Sequence, residues 1–305
     1  MGAREDPTEP GPDGGPAGRG YRLSLHESGN PAADSGYGDP PPRVGFFTDT
    51  SICIGCKACE VACKEWNGID ADGLELSGFS YDNTMALGHS TWRHVKFVEG
   101  TPEPGVGGND ASQVSWEFSS DVCKHCEVAG CLEACPTGAL VRTEFGGVYL
   151  QPDICNGCGH CVISCPFGVV QKNEQDGRAF KCTFCTDRQK AGLQPACAKA
   201  CPTESIKFGL LDDLRSEATR RLETLHGRGM QDAQLYNPVD TSVGGIHSLF
   251  LIRGKPQTYN LPPQPEVPII YLQDAWKSAA MEALAMVAGV TVFFLLWRRS
   301  GNGGR

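Results

Sequence analysis

A fourfold repeat of closely spaced cysteines is the feature that most constrains this chain. The 305 residues contain sixteen cysteines, and every one belongs to a unit of two close cysteines, a third, and a fourth four positions after the third. The units are Cys53, Cys56, Cys59 and Cys63; Cys123, Cys126, Cys131 and Cys135; Cys155, Cys158, Cys161 and Cys165; and Cys182, Cys185, Cys197 and Cys201. Thiols this close in sequence pair poorly as disulfides, so the repeat predicts metal binding.

The first and third units have the C-x2-C-x2-C-x3-C spacing of bacterial ferredoxins, as CIGCKACEVAC and CNGCGHCVISCP. Three thiolates two residues apart can surround three corners of an iron–sulfur cube, while the fourth reaches the other cube of a pair. The second and fourth units alone would allow a tetrahedral zinc site, but the other two fit zinc poorly. We therefore predict [4Fe–4S] clusters. Because the cysteine set is complete, we expect His125 and His160, inside these loops, not to be ligands.

Composition narrows the function further. Hydrophobic residues make up 40% of the chain, with 38 glycines and 21 prolines, so we expect a loop-rich protein that clusters organise more than an apolar core. The net charge is −9 and no Lys/Arg-rich run occurs, which argues against nucleic acid as a partner. The sequence has no catalytic triad, P-loop or dinucleotide-binding motif. We expect no catalytic residue and no small-molecule substrate.

The rest of the sequence divides by composition. Residues 1–43 are rich in Gly, Pro, Asp and Ser, which predicts a disordered tail, and they lack the apolar stretch of a signal peptide. Order should begin near Val44, with a strand that leads into a turn. Residues 91–99 and 114–120 alternate like strands, and 211–227 have the apolar spacing of a helix.

The C-terminal segment Ser278–Trp297 is long and apolar enough to span a bilayer. Tryptophans near both ends suit the two membrane interfaces. The alternative is a helix buried in a soluble core. Three arginines follow the segment and one lysine immediately precedes it, so the positive-inside rule predicts a cytoplasmic C-terminus and a cluster domain on the other side.

Several segments together resemble the iron–sulfur β subunit of membrane-bound respiratory formate dehydrogenase, from about Val44 to Trp297. They are SICIGCKACEVACKEWN (51–67), CKHCEVAGCLEACP (123–136), CNGCGHCVISCPFGV (155–169), KCTFCTDR with PACAKACPT (181–203) and VGGIH (243–247). The long acidic, Gly/Pro-rich N-terminal tail departs from the family pattern. The cysteine units are shared with the β subunits of dimethyl sulfoxide, tetrathionate and nitrate reductases.

The resemblance implies an α+β fold of two interleaved ferredoxin-like domains, each with two [4Fe–4S] clusters, plus one C-terminal transmembrane helix. The expected divisions are a disordered tail (1–43), the first part of domain A (44–114), an inserted domain B (115–175), the rest of domain A with a following helix (176–235), an irregular strap (236–272), a transmembrane helix (273–299) and a tail (300–305). We therefore expect a single-pass protein of the cytoplasmic membrane.

The resemblance also implies a ligand set for each cluster, which joins cysteines of different units. The sets are Cys53, Cys56, Cys59 and Cys201 (cluster 1); Cys182, Cys185, Cys197 and Cys63 (cluster 2); Cys123, Cys126, Cys131 and Cys165 (cluster 3); and Cys155, Cys158, Cys161 and Cys135 (cluster 4).

The implied partners are a molybdopterin- or tungstopterin-bearing catalytic α subunit, which oxidises formate, and a cytochrome b-like membrane γ subunit, which reduces quinone. The protein would transfer electrons between them without catalysis of its own. One alternative is the same role in a sulfoxide or sulfur-oxyanion reductase. Another is a zinc-binding scaffold protein.

Overall fold

The structure, a computed structural model, describes residues 30–71, 78, 81–100 and 115–301. Most of the predicted disordered tail, residues 1–29, lies outside the described residues. Within its remainder, Pro31–Asp34 form a short helix, Asn30 caps it, and Ala32 is buried. Ordered structure therefore begins before Val44, where we had placed it, because a small apolar turn packs against the protein.

Most helices and strands are short and they are interspersed along the chain, as expected for an α+β, loop-rich protein. The helices are α1 (Pro31–Asp34), α2 (Ala58–Asn67), α3 (Gly130–Glu133), α4 (His160–Ile163), α5 (Thr186–Lys190), α6 (Ala196–Lys199), α7 (Leu211–Gly227) and α8 (Leu272–Gly301). The strands are β1 (Val44–Asp49), β2 (Arg93–Gly100), β3 (Ser115–Val122), β4 (Leu140–Arg142), β5 (Val148–Leu150), β6 (Gln171–Lys172), β7 (Ala179–Phe180), β8 (Ile206–Leu210), β9 (Ala233–Tyr236) and β10 (Ser248–Arg253).

A mixed four-stranded sheet, in the order β8-β1-β10-β9, joins the two ends of the globular part. Strand β1 runs antiparallel to β8 and parallel to β10. The predicted helix α7 packs on this sheet, with Leu211, Leu214, Ala218 and Leu225 buried at helical spacing. The predicted strand at Val44 and the helix over 211–227 are confirmed.

The prediction of an irregular strap over residues 236–272 is wrong for its centre. Ser248–Arg253 form strand β10 inside the sheet, and Leu249 through Ile252 are fully buried. Both faces of this strand are covered, so its sequence SLFLIR shows no apolar–polar alternation. The VGGIH segment before it lies against the second cysteine unit, because the N–H of Val128 donates to Val243 O and the N–H of His247 donates to Lys124 O.

Strands β2 and β3 form the predicted antiparallel pair, in which Phe97 lies opposite Phe118. The residues between them, 101–114, lie outside the described part of the chain. Two smaller hairpins, β4–β5 and β6–β7, follow the second and third cysteine units. Helix α2 packs against α6, and α3 packs against α4. Helices of the first and fourth units therefore meet, as do those of the second and third.

Helix α8 extends away from the rest of the protein. Within its segment Asp274–Arg298, the most apolar window of 18 residues has a mean hydropathy of 2.1, and none of that window is buried inside the structure. Twenty-five helical residues span about 37 Å, more than the hydrocarbon core of a bilayer. Within the described residues this is a candidate membrane-spanning helix, and the alternative of a helix buried in this protein's own core is wrong.

Candidate cluster-binding site

All four cysteine units begin with the same local backbone turn. Two positions after its first cysteine, each unit has a residue in the left-handed region: Gly55 (φ 67°), His125 (φ 45°), Gly157 (φ 71°) and Phe184 (φ 61°). Glycine adopts this conformation freely, whereas His125 and Phe184 hold it at a cost of about 1–3 kcal/mol each. Such a turn directs backbone N–H groups to one side, which suits an anion. In the fourth unit, the N–H of Phe184 lies 3.3 Å from Cys182 Sγ.

The third cysteine of every unit occupies the second position of a helix. These residues are Cys59 in α2, Cys131 in α3, Cys161 in α4 and Cys197 in α6. The fourth cysteine follows one helical turn later. In three units a proline and a left-handed residue then redirect the chain, and Gly138, Gly168 and Glu204 donate their N–H groups to the carbonyl of that cysteine at 3.2–3.4 Å.

All sixteen cysteines are free of disulfide bonds, and many interact electrostatically with cysteines of other units. Burial first, and then neighbouring thiols, raise the pKa of Cys63, Cys126 and Cys161, the last to about 11. Burial also raises the pKa of Cys53, where the Gly55 N–H and the Ser205 hydroxyl oppose the effect and two other thiols add to it. The interacting thiols are Cys63 with Cys182, Cys185 and Cys197; Cys126 with Cys123, Cys131 and Cys165; Cys161 with Cys135, Cys155 and Cys158; and Cys53 with Cys56 and Cys201.

Further pairs of thiols connect these groups in a row. Burial raises the pKa of Cys59 to about 12, and Cys197 contributes to that increase. Burial likewise raises the pKa of Cys182, with Cys123 as the strongest thiol neighbour. Burial also raises the pKa of Cys131, and the thiol of Cys161 adds to that increase. The four groups of thiols therefore form a row, in which each group has a thiol near one of the next group.

The donor set fits iron–sulfur clusters. Bare thiolates crowded in a buried site repel one another, and bound iron removes that penalty. N–H donors lie near some sulfurs: burial would raise the pKa of Cys135, but the N–H groups of Leu140, Thr137 and Ala139 and the Thr137 hydroxyl outweigh it, so this pKa is lowered. No three His, Cys, Asp or Glu side chains in the described ranges are arranged to hold one metal ion. A zinc site would need such an arrangement, because its sulfurs all lie about 2.3 Å from one metal ion.

Comparison with known proteins agrees with this geometry. Two family models, each described as a 4Fe-4S dicluster domain, match residues 52–139 and 114–211. The formate dehydrogenase iron-sulfur subunit of Haemophilus influenzae is 39% identical over 255 residues, which cover 82% of this chain and 78% of the relative. The formate dehydrogenase-O iron-sulfur subunit of Escherichia coli is 38% identical, with 82% of each sequence covered. This protein belongs to the formate dehydrogenase iron–sulfur subunits.

A formate dehydrogenase iron–sulfur subunit transfers electrons through 4Fe–4S clusters, and the matched models are ferredoxin-type modules without a catalytic fold. A more distant relative, the B subunit of the anaerobic dimethyl sulfoxide reductase of Escherichia coli, is 34% identical over 175 residues, or 57% of this chain and 77% of the relative. The resemblance inferred from the cysteine units is therefore confirmed.

Among the described residues, five buried cations lie near the thiols of this formate dehydrogenase subunit, and sequence reasoning missed them: Arg93, Lys124, Arg142, Lys181 and Arg188. Lys181 Nζ donates to the carbonyl oxygens of Val148 and Cys182, the latter at 3.0 Å. Arg142 Nη2 donates to Cys126 O at 3.1 Å. A thiolate-bound cluster is anionic, so nearby buried cations offset its charge. Two sequence features could have indicated such cations: a lysine directly beside a cysteine in the second and fourth units, and an arginine on the apolar face of β2.

The two histidines inside the cysteine loops have different surroundings. His125 is buried, its Nδ1 accepts the N–H of Val148 at 3.1 Å, and its ring lies 4.3 Å from that of Phe184. Burial lowers its pKa, so the ring is neutral at physiological pH. His160 is exposed. In this formate dehydrogenase subunit, His125 therefore packs the second cysteine loop against the fourth.

Proposed function

We propose that this protein carries electrons through four [4Fe–4S] clusters, with each of its sixteen cysteines as a ligand. Cluster 1 binds Cys53, Cys56, Cys59 and Cys201; cluster 2 binds Cys182, Cys185, Cys197 and Cys63; cluster 3 binds Cys123, Cys126, Cys131 and Cys165; and cluster 4 binds Cys155, Cys158, Cys161 and Cys135. The single observation that carries this proposal is the grouping of thiols across units. When bound, the clusters supply one-electron redox chemistry at potentials set by charge and hydrogen bonding.

The same sets describe two interleaved ferredoxin-like domains. Cysteines of the first and fourth units share clusters 1 and 2, and those of the second and third units share clusters 3 and 4. Packing of α2 against α6 and of α3 against α4 supports this division. The protein's own contribution is to hold the thiols in a row, bury them from water, and surround them with N–H donors and cations.

We further propose the partners of a respiratory formate dehydrogenase: a molybdopterin- or tungstopterin-bearing catalytic subunit that supplies electrons, and a cytochrome b-like membrane subunit that accepts them. The formate dehydrogenase relatives match 82–84% of the sequence, against 57% for the dimethyl sulfoxide reductase relative, which favours the formate complex over a sulfoxide reductase. Helix α8 anchors the protein beside the membrane subunit. The arginines that follow its apolar segment, Ser278–Trp297, favour a cytoplasmic C-terminus.

The first experiment measures cluster content. Expressed with its partners and purified without oxygen, the protein should contain about sixteen irons and as many acid-labile sulfides, the content of four such clusters. Zinc in place of iron, or about half of this iron content, would contradict the proposal. Identification of the large subunit that co-purifies separates a formate dehydrogenase from a sulfoxide reductase.

Paired substitutions test the ligand sets. Cys53→Ser with Cys201→Ser removes two ligands of cluster 1, so the double variant should lose about a quarter of the iron. Cys53→Ser with Cys63→Ser, two cysteines of one unit, should damage clusters 1 and 2 and remove about half. The reverse pattern of iron loss would show that each unit holds its own cluster.

A further inference from the structure

One buried guanidinium group lies between thiols of the first and fourth units. Arg93 is 1% exposed, and its Nη2 donates to Cys197 Sγ at 3.3 Å. Its Nη1 donates to Ser120 Oγ at 3.3 Å. The Ser120 hydroxyl in turn lies 3.2 Å from Cys59 Sγ. The same cation therefore reaches Cys197 directly and Cys59 through one hydroxyl.

The surrounding structure fixes this guanidinium in place. Strands β2 and β3 pair with Val95 opposite Ser120, which puts Arg93 and Ser120 near each other on the hairpin. Arg93 Nη1 also donates to Ser120 O at 3.2 Å, and the guanidinium lies over the ring of Phe46 at 4.8 Å. Because the ring contact and the hydrogen bonds both hold the guanidinium, the side chain has little freedom to move away from the sulfurs.

The ionised groups that act most strongly on Arg93 are the thiolates of four cysteines. They are Cys197, Cys59, Cys182 and Cys63. Under the ligand sets proposed above, on which this inference rests, Cys59 belongs to cluster 1 and the other three to cluster 2. Arginine stays protonated at every physiological pH, so its positive charge at this point is constant.

We propose that Arg93 and Ser120 form an electrostatic bridge that raises the reduction potentials of both clusters 1 and 2. Each reduction adds one negative charge to a cluster, and a nearby cation with N–H···S and O–H···S bonds stabilises that charge. Arg93 is a positioning and tuning residue, not a cluster ligand. The bridge keeps the potentials of two adjacent clusters high together, which favours electron transfer from one to the other.

The test is a redox titration monitored by electron paramagnetic resonance on the complete complex. In Arg93→Gln, two of the four clusters should titrate at more negative potential, with about a tenfold lower reduced-to-oxidised ratio at fixed potential, equal to about 59 mV for one electron. Ser120→Ala should shift only one cluster, because the charge and the bond to Cys197 remain. Lys96→Gln is the matched control: it removes a positive charge from the same strand, where Lys96 contacts Asn260 instead of a thiol.

Iron content separates the possible failures. A wild-type complex without four clusters would contradict the proposed function, whereas four clusters with unchanged potentials in Arg93→Gln would overturn only the bridge. If the complex with Arg93→Gln does not assemble, the reduction potentials measured in Arg93→Lys and Ser120→Ala test the bridge instead. Arg93→Lys retains the charge but not the fork that reaches both acceptors, so it should preserve the potential of cluster 2 better than that of cluster 1. Wild-type potentials in Ser120→Ala would then refute the bridge.

Discussion

Replacement of Gly157 by alanine should destabilise the loop of the third cysteine unit by about 2–5 kcal/mol, because two separate costs add. Gly157 has a φ of 71°. A residue with a Cβ adopts this conformation at a cost of about 1–2 kcal/mol. The added Cβ would also lie 2.5 Å from the carbonyl oxygen of Gly177. Since that oxygen is part of the backbone, the loop that carries Cys155 and Cys158 must shift, and such overpacking costs about 1–3 kcal/mol.

Gly168→Ala is the matched control for this prediction. Gly168 also has a positive φ, 62°, but a Cβ there would meet no heavy atom within 4 Å. Only the conformational cost of about 1–2 kcal/mol remains. The two variants are compared by the rate at which they release iron in guanidinium chloride. The visible absorption of the clusters follows that rate under anaerobic conditions. Gly157→Ala should lose iron about tenfold faster than Gly168→Ala, which corresponds to about 1.4 kcal/mol. Equal rates would refute the steric argument.

Three further predictions concern the core, pH and the membrane helix. Leu251→Ala, at a fully buried position of β10, should lower the free energy of unfolding by about 2–5 kcal/mol, whereas Leu210→Ala, half exposed at the end of β8, should change it by less than about 0.5 kcal/mol. Burial and then Arg142 lower the pKa of His247 to about 3. The unfolded protein therefore binds this proton first, and stability should fall by up to about 1.4 kcal/mol per unit as pH drops below about 6.5. Denaturant titrations of wild type and His247→Gln should diverge there, and parallel curves would contradict this account. A protein truncated after Tyr271 should retain its full iron content without detergent, because α8 is not buried in the rest of the protein; loss of iron would show that α8 supports the cluster domain.

Elements that are defined by residues close together in the sequence could be predicted from it. The spacing of Cys53, Cys56 and Cys59 alone identifies a cluster loop, since the ligands and the turn lie within a few residues. The helix over 211–227 and the β2–β3 pair show their periodicity in single windows. The apolar length of Ser278–Trp297 was enough to predict α8.

Features that depend on distant partners could not be predicted in this way. Strand β10 is short and apolar on both faces, and only its neighbours β1 and β9 distinguish it from the irregular segments around it. Arg93 looks like an ordinary strand residue until the hairpin brings it to Cys197. The left-handed turns at His125 and Phe184 also escape a composition-based reading, because glycine marks the same position in the other two units.

The placement of β1 has a consequence for biosynthesis. Its residue Phe46 pairs with Phe208 on one side and Ser248 on the other, so both neighbours of this strand are encoded about 160–200 residues later. At a translation speed of about 5–20 residues per second, the ribosome needs about 10–40 s to deliver the last of them. Within that interval the ribosome synthesises all four cysteine units, from Cys53 to Cys201. Iron delivery and protection of these thiols from oxygen must therefore be timed to the completion of synthesis.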